Sequence, residues 1–493
     1  MEATILICFV IYTALLFLVM WLTSRKGAGN DAFFRGNRKS PWYVVAYGMI
    51  GASLSGVTFM SVPGYVHDTQ FTYIGIVLGY LLGYAVIALV LLPLYYKLNL
   101  TSIYTYLDQR FGQTSYRTGS FFFIISRLLG SSLRMFLVVF VLYEFVFKAW
   151  GFPFWVPAVV FIVIILLYTF RGGIKTVIWT DTLQTTFFLL ATIITIVCVL
   201  KDLDISLFDV LKRSTVQGYT KLFETDWRAD NFFVKQILSG AFITIAMTGL
   251  DQDMMQKNLT CKTLKEAQKN MFTFSFSLIL VNLLFLVLGA TLLYYASETA
   301  FELPVDAAGE VVSDKIFPSV AFSVGPFTSV AFVLGLVAAG YSSADGTLTA
   351  LTTSFCYDFL RFGTDSRYTE AQKVRIRKMV HIVFALLYLL IIITFEPFHS
   401  DSLIATVFDV AGFTYGPLLG LFCFGLFTKR RTRDAWVPVV AVLSPIICYI
   451  LKLNSADWFG GYKFGFELLI INGLITFIGL LIMSKKDNTS NNI

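Results

Sequence analysis

The sequence has little charge and few of the residues that build metal or disulfide sites. Asp, Glu, Lys and Arg make up 14% of its 493 residues, against about 25% in ordinary soluble domains. It contains three histidines and six cysteines, and no pair of cysteines has the CxxC spacing of a metal or redox motif. The sequence therefore gives no indication of a soluble catalytic domain, a metal cluster or a disulfide framework.

Long apolar runs dominate instead. Hydrophobic residues make up 57% of the chain, and the mean hydropathy is +0.73. Runs of about 18 or more apolar residues, long enough to cross a membrane as a helix, recur along its length. The first run lacks a preceding basic segment and a cleavage site, so we interpret it as a retained helix. The thirteen predicted spans are about 3–24, 42–66, 73–97, 118–147, 153–170, 176–200, 233–252, 270–297, 325–360, 377–396, 402–427, 434–452 and 466–484.

The distribution of basic residues predicts the orientation of these spans. Cytoplasmic loops of membrane proteins are enriched in Lys and Arg. With the N-terminus outside and the C-terminus in the cytoplasm, the inside segments contain most of the 38 basic residues, as in "RYTEAQKVRIRK" and "TKRRTRD". The net charge of +7 therefore reflects topology, and no nucleic-acid partner is expected.

Two spans carry small and polar residues at mid-depth. They contain "GMIGASLSGVTFMSVPG" (Gly48 to Gly64) and "TGLDQDMMQ" (Thr248 to Gln256). Such clusters are typical of unwound membrane helices, whose freed backbone groups need partners, although small residues also allow close helix packing. The two spans lie five helices apart, which predicts an inverted-repeat transporter with its binding site at the breaks. The predicted parts are an extra helix and cytoplasmic loop (1–41), two repeats (42–200 and 233–427), an extracellular loop (201–232), and two accessory helices with a short tail (428–493).

Two acids in apolar spans are candidates for ion binding. A carboxylate at membrane depth is costly unless it is paired or binds a cation. Asp345 lies in "AGYSSADGTL" and Asp181 in "GGIKTVIWTDTLQ", and both are expected in the inner half of the bundle. With hydroxyls such as those of Thr182 and Ser342 they form an all-oxygen set that suits Na⁺. The alternative is that Asp345 pairs with an arginine such as Arg134.

Two further charged residues are candidates for contact with a solute. Arg134, deep in the fourth span, could hold a carboxylate with two parallel hydrogen bonds, or it could form a structural salt bridge. Arg127, nearer the start of that span, could simply extend to the interface. Asp409 could meet a cationic or polyhydroxyl solute or pair with an arginine. No histidine is central, which leaves proton coupling less support.

Four stretches together resemble the sodium/solute symporter family, which includes the sodium/glucose, proline and sialic acid symporters. They are "GGIKTVIWTDTLQ", "DQDMMQKNLTCKTLKEAQ", "DKIFPSVAFSVGP" running into "GLVAAGYSSADGTLTALTTSFCYDF", and "GFTYGPLLGLFCFGLFTKR". The resemblance covers roughly residues 42–435. It implies an all-α membrane protein with a LeuT-like 5+5 inverted repeat, one helix before it and two after it.

The resemblance also implies where sodium binds. The family's main sodium site uses backbone carbonyls at the first break together with a carbonyl and two hydroxyls of the eighth core helix. The matching positions here are Gly51, Leu54, Ala339, Ser342 and Ser343.

A second sodium site, present in some relatives, uses the aspartate that Asp181 matches and two hydroxyls just after the serine pair. Here Asp345 and Gly346 occupy the positions of those hydroxyls. The possible second cation site is therefore Asp181, Thr182 and Asp345, and Asp345 could instead bind a proton or pair with an arginine.

The resemblance places the solute cavity at the first break. In sialic acid symporters a hydroxyl pair and an arginine hold the carboxylate of the solute, and Ser55, Thr58 and Arg134 are similar. The stacking tyrosine and the acidic residue of galactose transporters have no counterparts near Met247 and Val57. The expected solute residues are Ser53, Ser55, Thr58, Arg134, Met247 and Asp409.

These expectations combine into a sodium-coupled importer of a small organic solute that works by alternating access. An organic anion such as a sialic acid, a uronic acid or a monocarboxylate is favoured. The alternatives are proton-coupled symport and sodium-coupled uptake of a sugar or an amino acid. We expect no enzymatic activity, no organic cofactor and no obligatory protein partner. The expected location is the cell membrane, as a multi-pass protein of the bacterial inner membrane surrounded by lipid.

Overall fold

The computed structural model describes residues 2–24, 30–229, 231–306, 309–363, 367–396, 403–462 and 464–485. Helices make up almost all of its regular structure. The first half contains α1 (Glu2–Ser24), α2 (Asn30–Arg35), α3 (Trp42–Ser53), α4 (Gly56–Thr69), α5 (Ile74–Val86), α6 (Leu92–Lys97), α7 (Thr105–Arg110), α8 (Gln113–Leu142), α9 (Trp155–Gly172), α10 (Ile174–Asp202) and α11 (Leu207–Val216). The second half contains α12 (Phe233–Thr244), α13 (Gln252–Asn258), α14 (Leu264–Thr299), α15 (Ser313–Val324), α16 (Pro326–Ser354), α17 (Glu370–Phe395), α18 (Leu403–Phe427), α19 (Val437–Leu453), α20 (Ser455–Trp458) and α21 (Leu468–Ile482). A short antiparallel pair joins β1 (Arg431–Thr432) to β2 (Ser484–Lys485).

Several of these helices continue through a turn of wider π-helix. These turns are Ile87–Leu91 between α5 and α6, Tyr143–Phe147 after α8, Ile245–Gly249 after α12 and Phe355–Phe359 after α16. Such turns are rare, and they frequently lie at functional sites.

Two helix pairs are sharply bent, and both bends fall in the stretches that the sequence marks as broken. The helix axis turns by 62° between α3 and α4. It turns by 72° between the segment Phe233–Gly249, which is α12 with its π-helical turn, and α13. Leu54 and Ser55 at the first break and Asp251 at the second have extended backbone conformations. The predicted unwinding of the two equivalent spans is therefore observed.

The described residues contain nine continuous helices that are long and apolar enough to cross a membrane, besides the two bent pairs. Two shorter apolar helices, Trp155–Phe170 and Leu468–Ile482, complete the set. Each of these segments falls on a predicted span. The number of crossings, their orientation and the boundaries of the predicted parts stay predictions.

The helix α16 lies at the centre of the bundle. Every residue from Gly335 to Ser354 is buried, and the helix packs against α3, α4, α8, α10 and α17. A polar side chain on any face of α16 must therefore meet protein groups or a bound ion. This placement explains how Ser342, Ser343 and Asp345 can reach different neighbours.

The helices α5 and α12 approach each other closely because both present glycine at the contact. A Cβ atom added to Gly79 would clash with the carbonyl oxygen of Ile237, and one added to Gly240 would clash with the carbonyl oxygen of Ile76. The two backbones consequently meet without side chains between them, as small residues allow in membrane helices.

We expect Gly240→Ala to destabilise the protein. Overpacking of this kind costs about 1–3 kcal/mol, because the backbone of α5 must move away. The matched control is Gly130→Ala in α8, where a Cβ has open space. Thermal unfolding of the purified protein in detergent should give a lower midpoint for the first variant and no decrease for the second. Equal midpoints would argue against the close approach.

Candidate functional site

A cavity lies beside the first break. The hydroxyl-bearing residues Ser53, Ser55 and Thr58 line it together with Arg134 and Met247. The rest of the lining consists of Ala52, Leu54, Val57, Tyr73, Tyr80, Tyr84, Arg127, Ile243, Thr244, Thr248, Met254 and Val407. The structure thus places five of the six expected solute residues around one space, and their role stays a prediction.

Arg134 brings a positive charge to this cavity. Its side chain is partly buried, and it forms no ion pair or hydrogen bond with any other residue that the structure describes. The nearby Tyr73 and Tyr80 hydroxyls are 3.3 Å apart and bond each other. A guanidinium that is partly desolvated and unpaired can bind a carboxylate with little competition from the protein.

Asp409 lies elsewhere. Its carboxylate pairs with the ammonium of Lys452 on α19, and 41% of its side-chain surface is exposed. It is not among the described residues that line the cavity. The observed pair involves a lysine of an accessory helix, whereas the sequence suggested a solute or an arginine, so Asp409 is not part of the proposed solute site.

Two of the expected sodium ligands, Gly51 and Ser342, lie close together where α3 ends against α16. A Cβ atom on Gly51 would lie 3.1 Å from Ser342 Oγ, so the last turn of α3 touches the serine pair. Carbonyls in the last turn of a helix lack intrahelical partners, which applies to Gly51 and Leu54. The hydroxyl of Ser343 is buried, and no described group forms a hydrogen bond with it. Buried polar atoms without partners are uncommon, and a bound cation would satisfy this one.

Asp181 orients the hydroxyl of Ser342. The hydroxyl of Ser342 donates its hydrogen to Asp181 Oδ1 over 2.6 Å. A hydroxyl has one hydrogen and two lone pairs, so the lone pairs of Ser342 remain free to face a cation. The adjacent Gly51 N–H donates to Thr185 Oγ1 at 3.0 Å, which holds the end of α3 against α10.

The residues of the expected second cation site have separate partners. Asp181 Oδ2 lies 2.9 Å from the ammonium nitrogen of Lys257. Thr182 donates its hydroxyl hydrogen to the carbonyl of Ile178, one turn earlier in α10.

Asp345 is held by neutral donors. Its Oδ2 atom accepts from the hydroxyls of Tyr168 at 2.9 Å and Thr180 at 3.3 Å and from the amide of Gln184 at 3.4 Å. Its Oδ1 atom is buried and has no hydrogen-bond partner within the described part of the chain. Arg134 is not paired with it, so that alternative is not the arrangement observed.

The second break carries three buried charges, Asp251, Asp253 and Lys257, that have no role in the sequence analysis and that meet Arg127 and Asp181. We call Arg127, Asp181, Asp251, Asp253 and Lys257 the inner charge network. Arg127 forms an ion pair with Asp253 and lies 3.6 Å from Asp251, and Lys257 lies 3.4 Å from Asp253. The hydroxyl of Tyr415 on α18 donates to Asp251 at 2.6 Å. Arg127 is 4% exposed, so it is buried in the bundle and does not extend to the interface.

A signal for this network was present in "DQDMMQK". Asp251, Asp253 and Lys257 fall within seven residues at the end of a predicted span, and charged side chains are expensive at membrane depth. Arg127 in the fourth span has the opposite charge to the two acids and was available as their partner. The sequence alone did not indicate that α8 and α13 face each other.

A family model described as the sodium:solute symporter family matches residues 33–436. The chain is 25% identical over 478 residues to the sodium/sialic acid symporter SiaT of Proteus mirabilis, with 94% of this chain and 93% of that protein covered. It is 24% identical to the sodium/sialic acid symporter NanT of Aliivibrio fischeri, with 92% and 88% covered. A solved structure of a Na⁺-coupled sialic acid symporter in its substrate-bound outward-open state superposes with a TM-score of 0.82 at 24% identity, over 98% of both chains. This likeness confirms the predicted LeuT-like inverted-repeat fold.

We expect Arg127→Met to destabilise the protein strongly. Removing one partner of a buried ion pair typically costs about 3–5 kcal/mol, because Asp251 and Asp253 would lose their nearest positive charge. Lys148→Met is the control, since the Lys148 ammonium pairs with Glu144 at an exposed position and such pairs contribute little. Thermal unfolding in detergent should separate the two variants. A midpoint for Arg127→Met equal to that of the control would contradict a structural role for the network.

Proposed function

The chain belongs to the sodium:solute symporter family, and from this premise we propose that its solute is a small organic anion. The protein is a multi-pass, sodium-coupled symporter. The observation that carries the proposal on the solute is the unpaired guanidinium of Arg134 in a cavity that is also lined by the hydroxyl-bearing residues of the first break, Ser53, Ser55 and Thr58.

The proposed sodium ligands are the carbonyls of Gly51, Leu54 and Ala339 and the hydroxyls of Ser342 and Ser343. Sodium bound there holds α16 against the end of α3, beside the cavity. The bound ion thereby stabilises one arrangement of the two repeats, and the solute binds at the same break. Inward movement of the bundle then releases both ligands, as in alternating access at a site between inverted repeats.

The proposed solute carries one carboxylate. A single unpaired arginine neutralises one negative charge, and its planar fork matches a carboxylate with two hydrogen bonds. Ser55 and Thr58 are placed to fix the orientation of the same group. Sialic acids, uronic acids and simple monocarboxylates satisfy this requirement, and the named relatives transport sialic acid. We place the protein in the cell membrane, the inner membrane in a bacterium.

Proton coupling is the second candidate because of Asp345. Its carboxylate is fully buried, and within the described residues it has no basic partner and one oxygen without a hydrogen bond. Buried acids within membrane spans form proton relays in pumps and transporters. Sodium coupling is favoured because the chain belongs to the sodium:solute symporter family.

We expect uptake into proteoliposomes to follow an imposed Na⁺ gradient and to be absent with a pH gradient alone. Labelled sialic acid, glucuronate and lactate serve as the probes.

Ser343→Ala should lower the apparent sodium affinity by at least about tenfold, because one hydroxyl ligand is lost. Ser277→Ala is the control, since Ser277 bonds only the carbonyl of Thr273 on its own helix. Accumulation driven by pH alone would replace sodium coupling with proton coupling.

We expect Arg134→Lys and Arg134→Gln to weaken anion binding. The lost charge-assisted hydrogen bonds contribute about 1.5–3 kcal/mol, or roughly 10- to 100-fold in Kd. The measurement is the thermal stabilisation that each anion produces in the presence of Na⁺. Arg213→Gln, at a side chain that is more than half exposed, is the control. If glucose or an uncharged solute stabilises the native protein and no carboxylate does, the solute is not an anion.

A further inference from the structure

Lys257 has an unusual position for a lysine. It lies in α13, the inner half of the second broken pair, and it is 1% exposed. Its ammonium nitrogen is 2.9 Å from Asp181 Oδ2 and 3.4 Å from Asp253 Oδ1. Both carboxylates are themselves fully buried, so this ammonium is a cation enclosed by protein oxygens.

Gly346 provides the space for this cation. A Cβ atom at that position would lie 2.9 Å from the Lys257 nitrogen and 2.8 Å from Asp253 Oδ2. Real Cβ atoms do not approach other atoms so closely, so a side chain at position 346 would require the Lys257 ammonium and the Asp253 carboxylate to shift. A hydroxyl ligand supplied by α16 at position 346 would therefore compete for the space that the ammonium of Lys257 occupies.

The ammonium is also linked to the proposed sodium site. Asp181 accepts from Ser342 on one oxygen and faces Lys257 with the other. One carboxylate thus lies between a proposed sodium ligand and a permanent positive charge. A second sodium ion at Asp181 would lie beside that charge and meet strong repulsion in a medium of low dielectric constant.

We propose that the ammonium of Lys257 fills the second cation position as a tethered charge, so that the protein binds one sodium ion in each transport cycle. This inference rests on the proposed sodium site at Ser342 and Ser343. Lys257 touches neither sodium nor solute, and it acts as a residue that sets the ion stoichiometry. The lysine remains attached to α13, so its charge is not delivered to the cytoplasm.

The electrical consequence follows directly. One sodium ion together with a monocarboxylate anion carries no net charge across the membrane, so the membrane potential does not drive uptake. A second sodium ion would add one net charge. At 100 mV that charge would raise the accumulation of solute roughly fifty-fold.

The first experiment counts sodium ions and needs no solute. Equilibrium binding of ²²Na⁺ to the purified full-length protein should saturate at one ion per molecule in the native protein. It should saturate at two ions per molecule in Lys257→Ala, because Asp181 and Asp253 lose the ammonium beside them. The double variant Lys257→Ala with Gly346→Ser should also bind two ions, because it adds a hydroxyl at position 346 as well. Lys452→Ala removes a lysine that is paired with an aspartate away from the site, and it should still bind one ion.

Two native ions would overturn the inference and leave sodium coupling intact. No sodium binding, or binding unchanged in Ser343→Ala, would instead overturn the proposed sodium site. If the Lys257 variants do not fold, the number of ions bound by the native protein still decides.

The second measurement is uptake of labelled sialic acid into proteoliposomes whose membrane potential is clamped with potassium and valinomycin. An inside-negative potential should leave native uptake unchanged, and an increase of tenfold or more would reject the one-ion stoichiometry.

Discussion

The cost of burying carboxylates controls the arrangement of the centre of the protein. Asp181, Asp251, Asp253 and Asp345 are all fully buried, and an ionised carboxylate in such surroundings needs a cation or several hydrogen bonds. Each of the four satisfies this requirement with groups from other helices. Asp181 meets α13 and α16, Asp251 and Asp253 meet α8, and Asp345 meets α9 and α10. The polar contacts thus connect α8, α9, α10, α13 and α16 across the centre of the bundle.

The two breaks have the same physical origin but different uses. At the first break, glycine at position 51 lets the end of α3 touch α16 beside Ser342. At the second break, Asp251 caps α13 by accepting from the Met254 N–H at 3.1 Å, and the following residues bring the inner charge network together. Interrupting a membrane helix leaves backbone groups without partners. The first interruption supplies the carbonyls of the proposed sodium site, and the second places buried charges.

The sequence predicted the elements of the structure better than their pairing. Apolar runs and the small residues around Gly51 and Thr248 were sufficient to locate the helices and both breaks, because these signals are local. Arg127 was wrongly expected to extend to the interface, and Lys257 was given no role. The partners of both residues depend on which helix lies opposite. Asp409 illustrates the same limit, because only the packing of α18 against α19 reveals Lys452 as its partner. The serine pair was found through family resemblance, whereas its bond to Asp181 required the structure.

The balance of charge around the breaks argues for an order of binding. The inner charge network and Asp345 together contain four carboxylates and two basic groups, Arg127 and Lys257, so with every group ionised the centre carries two excess negative charges. Arg134 in the cavity offsets one of these charges, and an anion that arrives first still meets one excess negative charge in surroundings of low dielectric constant. A sodium ion at the proposed site beside Ser342 and Ser343 would neutralise that remaining charge. Sodium binding before the anion is therefore the favourable sequence, and the affinity for the anion then depends on sodium through electrostatics as well as through the contact of α3 with α16.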